Sequence, residues 1–188
     1  MAVYNAIKYN VDFAGLAGSL IPISTFTSDG SDATASFTSG IDTTYKEYLF
    51  ILNDIHPQNN DIDLGWQANA SGGSGYDETI TSAAWYAYHY ENNSGVQVAY
   101  STGGDQAQGT AFQTLADSLG NGADEALSGY LRIYDPGNTT HAKHFVSSAN
   151  IYMHSNGSMQ SWRQGYINTA TAITQIQFKF SSGEIQGG

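Results

Sequence analysis

The sequence predicts an all-β fold, an antiparallel β-sandwich, on three observations. Many short stretches alternate apolar and polar residues, Gly and Asn turns separate them, and no stretch carries the pattern of a long helix. The clearest alternation spans residues 172–180, where Ile176, Phe178 and Phe180 share one face and Gly183 follows in a turn. A half-buried strand cannot hide its own apolar face, so it requires sheet neighbours and a second layer.

The composition narrows the classes of partner. The 188 residues are long enough for one domain, and 6 Lys and Arg against 17 Asp and Glu give a net charge of -11. Such a surface repels phosphate backbones and anionic lipids, which argues against nucleic acid and membrane as partners. The chain has no Cys, so disulfides and thiolate metal sites are excluded.

Residues 1–19 differ from the rest of the chain and are interpreted as an N-terminal arm. Val3, Ile7 and Val11 are four residues apart and would line one face of a helix. Asp12 lies within the most apolar part and no basic segment precedes it, so a secretory signal is not predicted. The alternative is an ordinary first strand or a frayed terminus. The apolar residues of the arm are Val3, Tyr4, Ile7, Tyr9, Val11, Phe13 and Leu16.

Residues 20–188 are predicted to form the sandwich domain, beginning with four strands. Residues 20–26 predict an edge strand, because Pro22 cannot donate to a central ladder. After a turn, residues 33–37 alternate again. The consecutive apolar residues 48–52 predict a strand covered on both faces. The fourth strand alternates Ile62, Leu64 and Trp66 with polar residues and Gly.

The sequence of the second half of the domain predicts further strands and one short helix. Phe112, Leu115 and Leu119 have spacings of three and four, which predict a short helix within the Gly- and Gln-rich residues 103–126. The turn at residues 135–138 separates two of the other strands. Those strands are predicted near residues 80–90, 96–100, 130–134, 144–153 and 162–167, before the final stretch.

Several motifs in a fixed order resemble a group of tailed-phage virion structural proteins that is abundant in marine phages, including those of cyanobacteria. The resemblance covers roughly residues 20–188 and leaves the arm outside it. The motifs are LIPIST (20–25), YKEYLF (45–50), AYHYE (87–91), DEALSG (124–129), KHF (143–145), GYINT (165–169) and IQFKFSSG (176–183).

The resemblance implies a β-sandwich of jelly-roll type on the outside of a virion, in either the head or the tail. It implies no active site. Such proteins usually carry another short apolar strand after the Ser-Ser-Gly turn, whereas this sequence stops at Gly188. The expectation is therefore that the closing strand is missing or that the chain continues.

Neither acidic nor histidine-containing stretches predict a metal site. Asp29 with Asp32, and Asp61 with Asp63, offer oxygen ligands but not the spacing of a calcium loop, and alternation places Asp61 and Asp63 outward together. His141 and His144 would fall on opposite faces of one strand, and His89 is interpreted as a hydrogen-bonding core residue. We predict no functional metal and no cofactor.

No catalytic constellation is recognisable. A glycosidase needs two carboxylates across a cleft, and nothing in the sequence pairs the available acids. The Gly/Ser loop at residues 71–75 is not a nucleophile elbow, and Gly103-Gly104 lacks the Lys and helix of a phosphate-binding loop. The acids considered are Glu78, Glu91, Asp124 and Glu125.

Aromatic residues leave two interpretations open, sugar stacking or core packing. Trp85 is assigned to the core, and Trp66 and Trp162 are candidate glycan contacts. The first hypothesis is a non-enzymatic virion structural protein that decorates the capsid surface through protein–protein contacts, with the major capsid protein as partner. It would form a homotrimer held partly by the arm. The second is a tail fibre or other tail appendage that binds host glycan, and the weakest is a polysaccharide-degrading spike.

Overall fold

The computed structural model describes residues 20–188, and every regular element in this range is a β-strand in antiparallel pairing. The predicted all-β antiparallel fold is therefore confirmed. The predicted arm and its contact residues lie outside the described residues. The twelve strands are β1 (Ala35–Phe37), β2 (Glu47–Pro57), β3 (Ile62–Ala70), β4 (Ile80–Tyr90), β5 (Val96–Tyr100), β6 (Ala107–Gly109), β7 (Gln113–Leu119), β8 (Leu127–Tyr134), β9 (Lys143–Met153), β10 (Gly157–Ile167), β11 (Ile173–Phe180) and β12 (Ile185–Gly187).

The strands form two layers joined at one point. The small layer has the order β1-β11-β3-β7, and β7 meets β9 of the other layer only through the pair Leu119–Met153. The large layer runs β12-β2-β8-β9-β10-β4-β5, with β6 also on the edge of β4. Rings of the two layers meet between them, with centroids 5.3 Å apart for Phe37 and Phe50 and 4.9 Å apart for Trp66 and Phe145. The core is therefore the space between the layers, as in a β-sandwich.

The final long strand, β11, behaves as its alternation predicts. Ile176 and Phe178 are 0% and 3% exposed, and the Phe178 ring lies 5.7 Å from that of Phe50 in the large layer. The turn after it needs Gly183, whose φ of 74° lies in the left-handed region that glycine adopts at little cost. The predicted register of this strand is confirmed.

The expectation of a missing closing strand is wrong. Residues Ile185–Gly187 form β12, which pairs with the end of β2. Ile185 is buried in the core, and Asp32 forms an isolated bridge with it. A single apolar residue is enough here, because the strand closes only the edge of the large layer.

Two predictions for the first third of the domain are also wrong. Residues 20–26 form no strand, and only Phe26 packs against the core. Residues 48–52 are not covered on both faces, since Ile51 is 68% exposed while Tyr48 and Leu52 are buried. The run of apolar residues reflects an outer face that is itself partly apolar.

The predicted helix within residues 103–126 is wrong as well. That region carries the strands β6 and β7, and residues 20–188 contain no helix that could cross a membrane. Leu115 and Leu119 face the core, whereas Phe112 lies on the opposite side of the small layer against Gly65, with the Lys179 ammonium 4.1 Å from its ring. A spacing of four fits one face of a strand as well as a helix, so only the spacing of three indicated a helix.

Candidate binding face

The outer side of the large layer is open over six strands, in the order β5-β4-β10-β9-β8-β2. Along these strands the residues that alternate with the core point outward, and several of them are large and exposed. Tyr100, Ile51 and Val98 are 52%, 68% and 79% exposed. We call this side the outer face.

One row of residues crosses the outer face perpendicular to the strands. Strand pairing places Trp85 opposite Tyr100 on one side and opposite Trp162 on the other. Five strand spacings of about 4.8 Å make the row about 24 Å long. Its members are Tyr100 (β5), Trp85 (β4), Trp162 (β10), Ser148 (β9), Tyr130 (β8) and Ile51 (β2). We call it the cross-strand row.

The centre of the row is a tryptophan pair. The rings of Trp85 and Trp162 are stacked on each other, with centroids 6.3 Å apart and planes 26° apart. Arg163 lies beneath this pair on the core side, and its Nη1 donates to the carbonyl oxygens of Trp85 and Trp162 at 3.0 and 3.1 Å. The guanidinium thereby fixes the backbone that carries both rings.

Arg163 is held in turn by Asp117 of β7. Nη2 donates to Asp117 Oδ2 at 3.1 Å, and the guanidinium is buried. Burial lowers the pKa of Arg163, and the charges of Asp117 and Asp63 oppose that shift. A second polar bond links the layers nearby, where Ser161 Oγ donates to the Leu115 carbonyl at 2.8 Å. The position under the tryptophan pair is therefore rigidly pinned.

A groove begins next to the tryptophan pair and follows β4 and β10 towards one end of the sheet. It consists of two cavities of about 440 and 530 Å³ that share His89 and Ser158 in their walls. The first lies against Ala87 and Gln160, two register positions from the pair. The second extends onto β9 and β8.

The far end of the groove carries three carboxylates. Asp54, Glu91 and Asp124 line the larger cavity together with Tyr152. A hydrogen bond with the Glu91 carboxylate raises the pKa of Tyr152. Asp54 is anchored by Ser128, whose Oγ accepts from the Asp54 backbone nitrogen at 3.0 Å. No Lys or Arg occurs among the residues that the structure places around either cavity.

Amide and hydroxyl side chains fill the space between the aromatic and acidic ends. Gln160 Nε2 donates to Ser148 Oγ at 2.7 Å, and Asn150 Nδ2 donates to Ser158 Oγ at 3.0 Å. The amide oxygens of Gln160 and Asn150 have no hydrogen-bond partner among the described residues. The groove therefore offers fixed acceptors as well as donors to a polar ligand.

The structure contradicts two of the three locations that were expected for the tryptophans. Trp66 is 0% exposed and packs on Phe145 in the core, so its assignment as a glycan contact is wrong. Trp85 is half-buried on the outer face, so its assignment to the core is wrong. Trp162 does lie on the outer face, where it was considered as a glycan contact.

The residues weighed as metal ligands are dispersed. His89 is exposed and contacts Asn93, which contradicts its interpretation as a core residue. Asp63 is half-buried against β7, whereas Asp61 pairs with His154 at 3.0 Å, so the two carboxylates do not share an exposed face. Within residues 20–188, no three His, Asp or Glu side chains are grouped as a metal site requires.

The acids considered for catalysis fall into two groups. Glu78 and Glu125 serve the fold, since their carboxylates accept from the backbone nitrogens of Ala70 and Gly122 at 2.8 and 2.6 Å. Glu91 and Asp124 line one cavity, which the sequence did not reveal because they belong to different loops. Tyr100, Tyr130 and Ile51 were also missed, and only their opposition to known strand partners would have identified them.

No protein-family model matches the chain, and searches of curated proteins and of solved structures likewise find no match.

Proposed function

We propose that the chain is a non-enzymatic virion structural subunit that decorates the particle surface through protein–protein contacts. The resemblance described for residues 20–188 supports this, and one observation on the structure carries it. Leu20, Ile21 and Ile23 are 62%, 50% and 48% exposed although they belong to no strand. Apolar residues grouped on a surface usually mark a contact with another molecule.

The exposed segment at residues 20–23 continues directly from the apolar residues 1–19. Phe26 anchors its end to the core, and Ser28 is held by the Gly188 carbonyl at 3.1 Å. The described chain is therefore tied to the core from Phe26 onward, and we propose that residues 20–23 contact a neighbouring subunit. A closed homo-oligomer, a trimer, with the major capsid protein as the surface partner on the virion, is the assembly that we propose.

The test combines a truncation with a matched substitution. We expect deletion of residues 2–18, or Leu20→Ser with Ile21→Ser and Ile23→Ser, to leave a folded domain but to weaken self-association and attachment to purified particles. Light scattering measures the first and co-sedimentation the second. Ile51→Ser removes an equally exposed apolar residue elsewhere and should change neither.

Two results would contradict the assembly proposal. Unchanged mass and attachment in both variants would show that the segment makes no contact, and failure of the truncated chain to fold would make the arm part of the core. Copy number per particle separates head from tail. A number comparable with that of the major capsid protein indicates capsid decoration, and a far smaller number indicates a tail protein.

A second candidate, glycan binding as part of a tail appendage, is favoured by the cross-strand row. Trp85 and Trp162 form a stacked pair of rings on an open sheet face, and Tyr100 lies beside Trp85 at the edge. The negative face of an aromatic ring attracts the C–H groups of a sugar ring, which favours stacking. A hydrolytic role is not proposed, and incubation of polysaccharide with the protein should release no new reducing ends.

A further inference from the structure

The groove beside the tryptophan pair is an open depression with the length of a site for an extended chain. From Trp162 to Ser158 the strand advances four residues, about 13 Å at 3.3 Å per residue. Small side chains, Ala87 and Ser158, form the floor. Larger ones rise on both sides, Val98 from β5 and Tyr152 from β9.

The polar groups of the groove match hydroxyl groups better than they match an apolar ligand. Gln160 and Asn150 are held in place by Ser148 and Ser158, so their amide oxygens are fixed acceptors at the groove wall. A ligand rich in hydroxyls can donate to these oxygens and accept from the neighbouring side chains. Carboxylates at the far end strengthen such hydrogen bonds, since charged acceptors bind hydroxyls more tightly than neutral ones.

The charge of the groove excludes one class of sugar. Asp54, Glu91 and Asp124 surround the larger cavity without a neighbouring Lys or Arg, and the whole chain carries a net charge of -11. A uronate, sialate, sulfate or phosphate group would meet like charges at short range, which costs affinity and slows association. An uncharged sugar avoids this repulsion, and the ammonium group of an amine-bearing sugar is attracted by the three carboxylates.

A protein partner fits this groove less well than a sugar does. Protein interfaces are depleted of charged residues at their centre, because a buried charge without a partner is costly. Here the larger cavity is the one that carries the carboxylates. A hydrated sugar keeps those carboxylates hydrogen-bonded through its hydroxyl groups, so no charge is left unpaired.

We infer that the groove binds a neutral or amine-bearing oligosaccharide, with one sugar ring against the indole of Trp162 and the chain running towards Glu91 and Asp124. The inference rests on the glycan-binding candidate above and is independent of the assembly proposal. Beyond that candidate, it specifies the groove as the binding site, the direction in which the sugar chain runs, and the exclusion of anionic sugars.

The experiment presents the full chain at neutral pH to an array of neutral, amine-bearing and anionic oligosaccharides, and titrates the best of each class by calorimetry. We expect binding confined to the first two classes. Trp162→Ala should weaken it about tenfold or more, as loss of a stacking contact implies. Tyr166→Ala is the matched control, because Tyr166 lies on the same strand and face but contacts His144 outside the groove. Glu91→Gln with Asp124→Asn should weaken binding of amine-bearing sugars most.

The outcomes distinguish the inference from the candidate function beneath it. Binding only of anionic sugars would overturn the inference but leave glycan binding intact. Binding of no sugar would overturn both. Equal binding by Trp162→Ala and the unaltered chain would place the sugar elsewhere and overturn the site. Loss of self-association in Trp162→Ala, without sugar binding, would make the outer face a contact between copies.

Discussion

The outer surfaces of the two layers differ in what covers them. In the small layer, β3 is buried on both sides, because chain segments near residues 73–78 and 110–112 close over its outward residues. Gln67, which points away from the core there, is 0% exposed. In the large layer, the equivalent side keeps Tyr100, Val98 and Ile51 in solvent. The open aromatic face of the large layer is therefore the one on which we propose that a sugar ligand binds.

Hydrogen bonds from a polar side chain hold the covering loops against the small layer. Gln67 Nε2 donates to the carbonyl oxygens of Glu78, Thr110 and Ala111 at 3.0, 3.2 and 2.9 Å, so one side chain secures two loops. On the open side, Gln160 bonds only another side chain, Ser148. The two glutamines therefore have different consequences for stability, although both alternate with core residues.

The largest expected effect contrasts two tryptophans. Trp66→Ala should lower the free energy of unfolding by about 3–5 kcal/mol, because it empties a fully buried site beside Phe145. Trp162→Ala, on the open face, should cost about 1 kcal/mol or less. Urea denaturation at constant temperature measures both. Equal losses would mean that the outer face is itself part of a core.

An intermediate effect is expected for the two glutamines. Gln67→Ala leaves buried carbonyl groups without their donor and should cost about 1–3 kcal/mol. It should also speed proteolytic cleavage near residues 71–79 and 110–112, where local opening becomes easier. Gln160→Ala is the control and should stay within about 0.5 kcal/mol. Resistance of the Gln67→Ala loops to protease would show that other contacts close this surface.

The sequence predicted most of the strands, but it did not predict which face of every strand is buried. Period-two alternation located β3 and β11, and in β3 it grouped Ile62, Leu64 and Trp66 on one face, although Trp66 was considered as a glycan contact. In β10 the inward positions include the polar Ser161 and Arg163, whose partners lie on β7 and β4. Alternation there gives no apolar face to follow, so Trp162 could not be placed without its neighbours.

The candidate site was less accessible from sequence because it depends on register. Trp85 joins Trp162 only because β4 pairs with β10 at that position, and a shift of one strand by one residue would put the two rings on opposite faces of the sheet. The acidic end of the groove combines Asp54 of β2 with Glu91 and Asp124 of two separate connections. No spacing along the chain records such proximity.

The smallest expected effect is the pH dependence of stability that the half-buried carboxylate of Asp63 causes. Asp63, on the covered side of β3, accepts a hydrogen bond from the Ser118 nitrogen at 3.3 Å, yet burial raises its pKa. A carboxyl with a higher pKa in the folded state holds its proton longer than it does in the unfolded chain. Stability therefore falls as pH rises through the unfolded value of about 3.9, and the loss is complete above the folded pKa.

Asp63→Asn cannot ionise and should remove this loss. Its melting temperature should match that of the unaltered chain in acid and exceed it by about a few degrees at neutral pH. Thermal melts of both proteins across this pH range measure the effect, and a constant offset for Asp63→Asn would show that burial does not disfavour the Asp63 carboxylate.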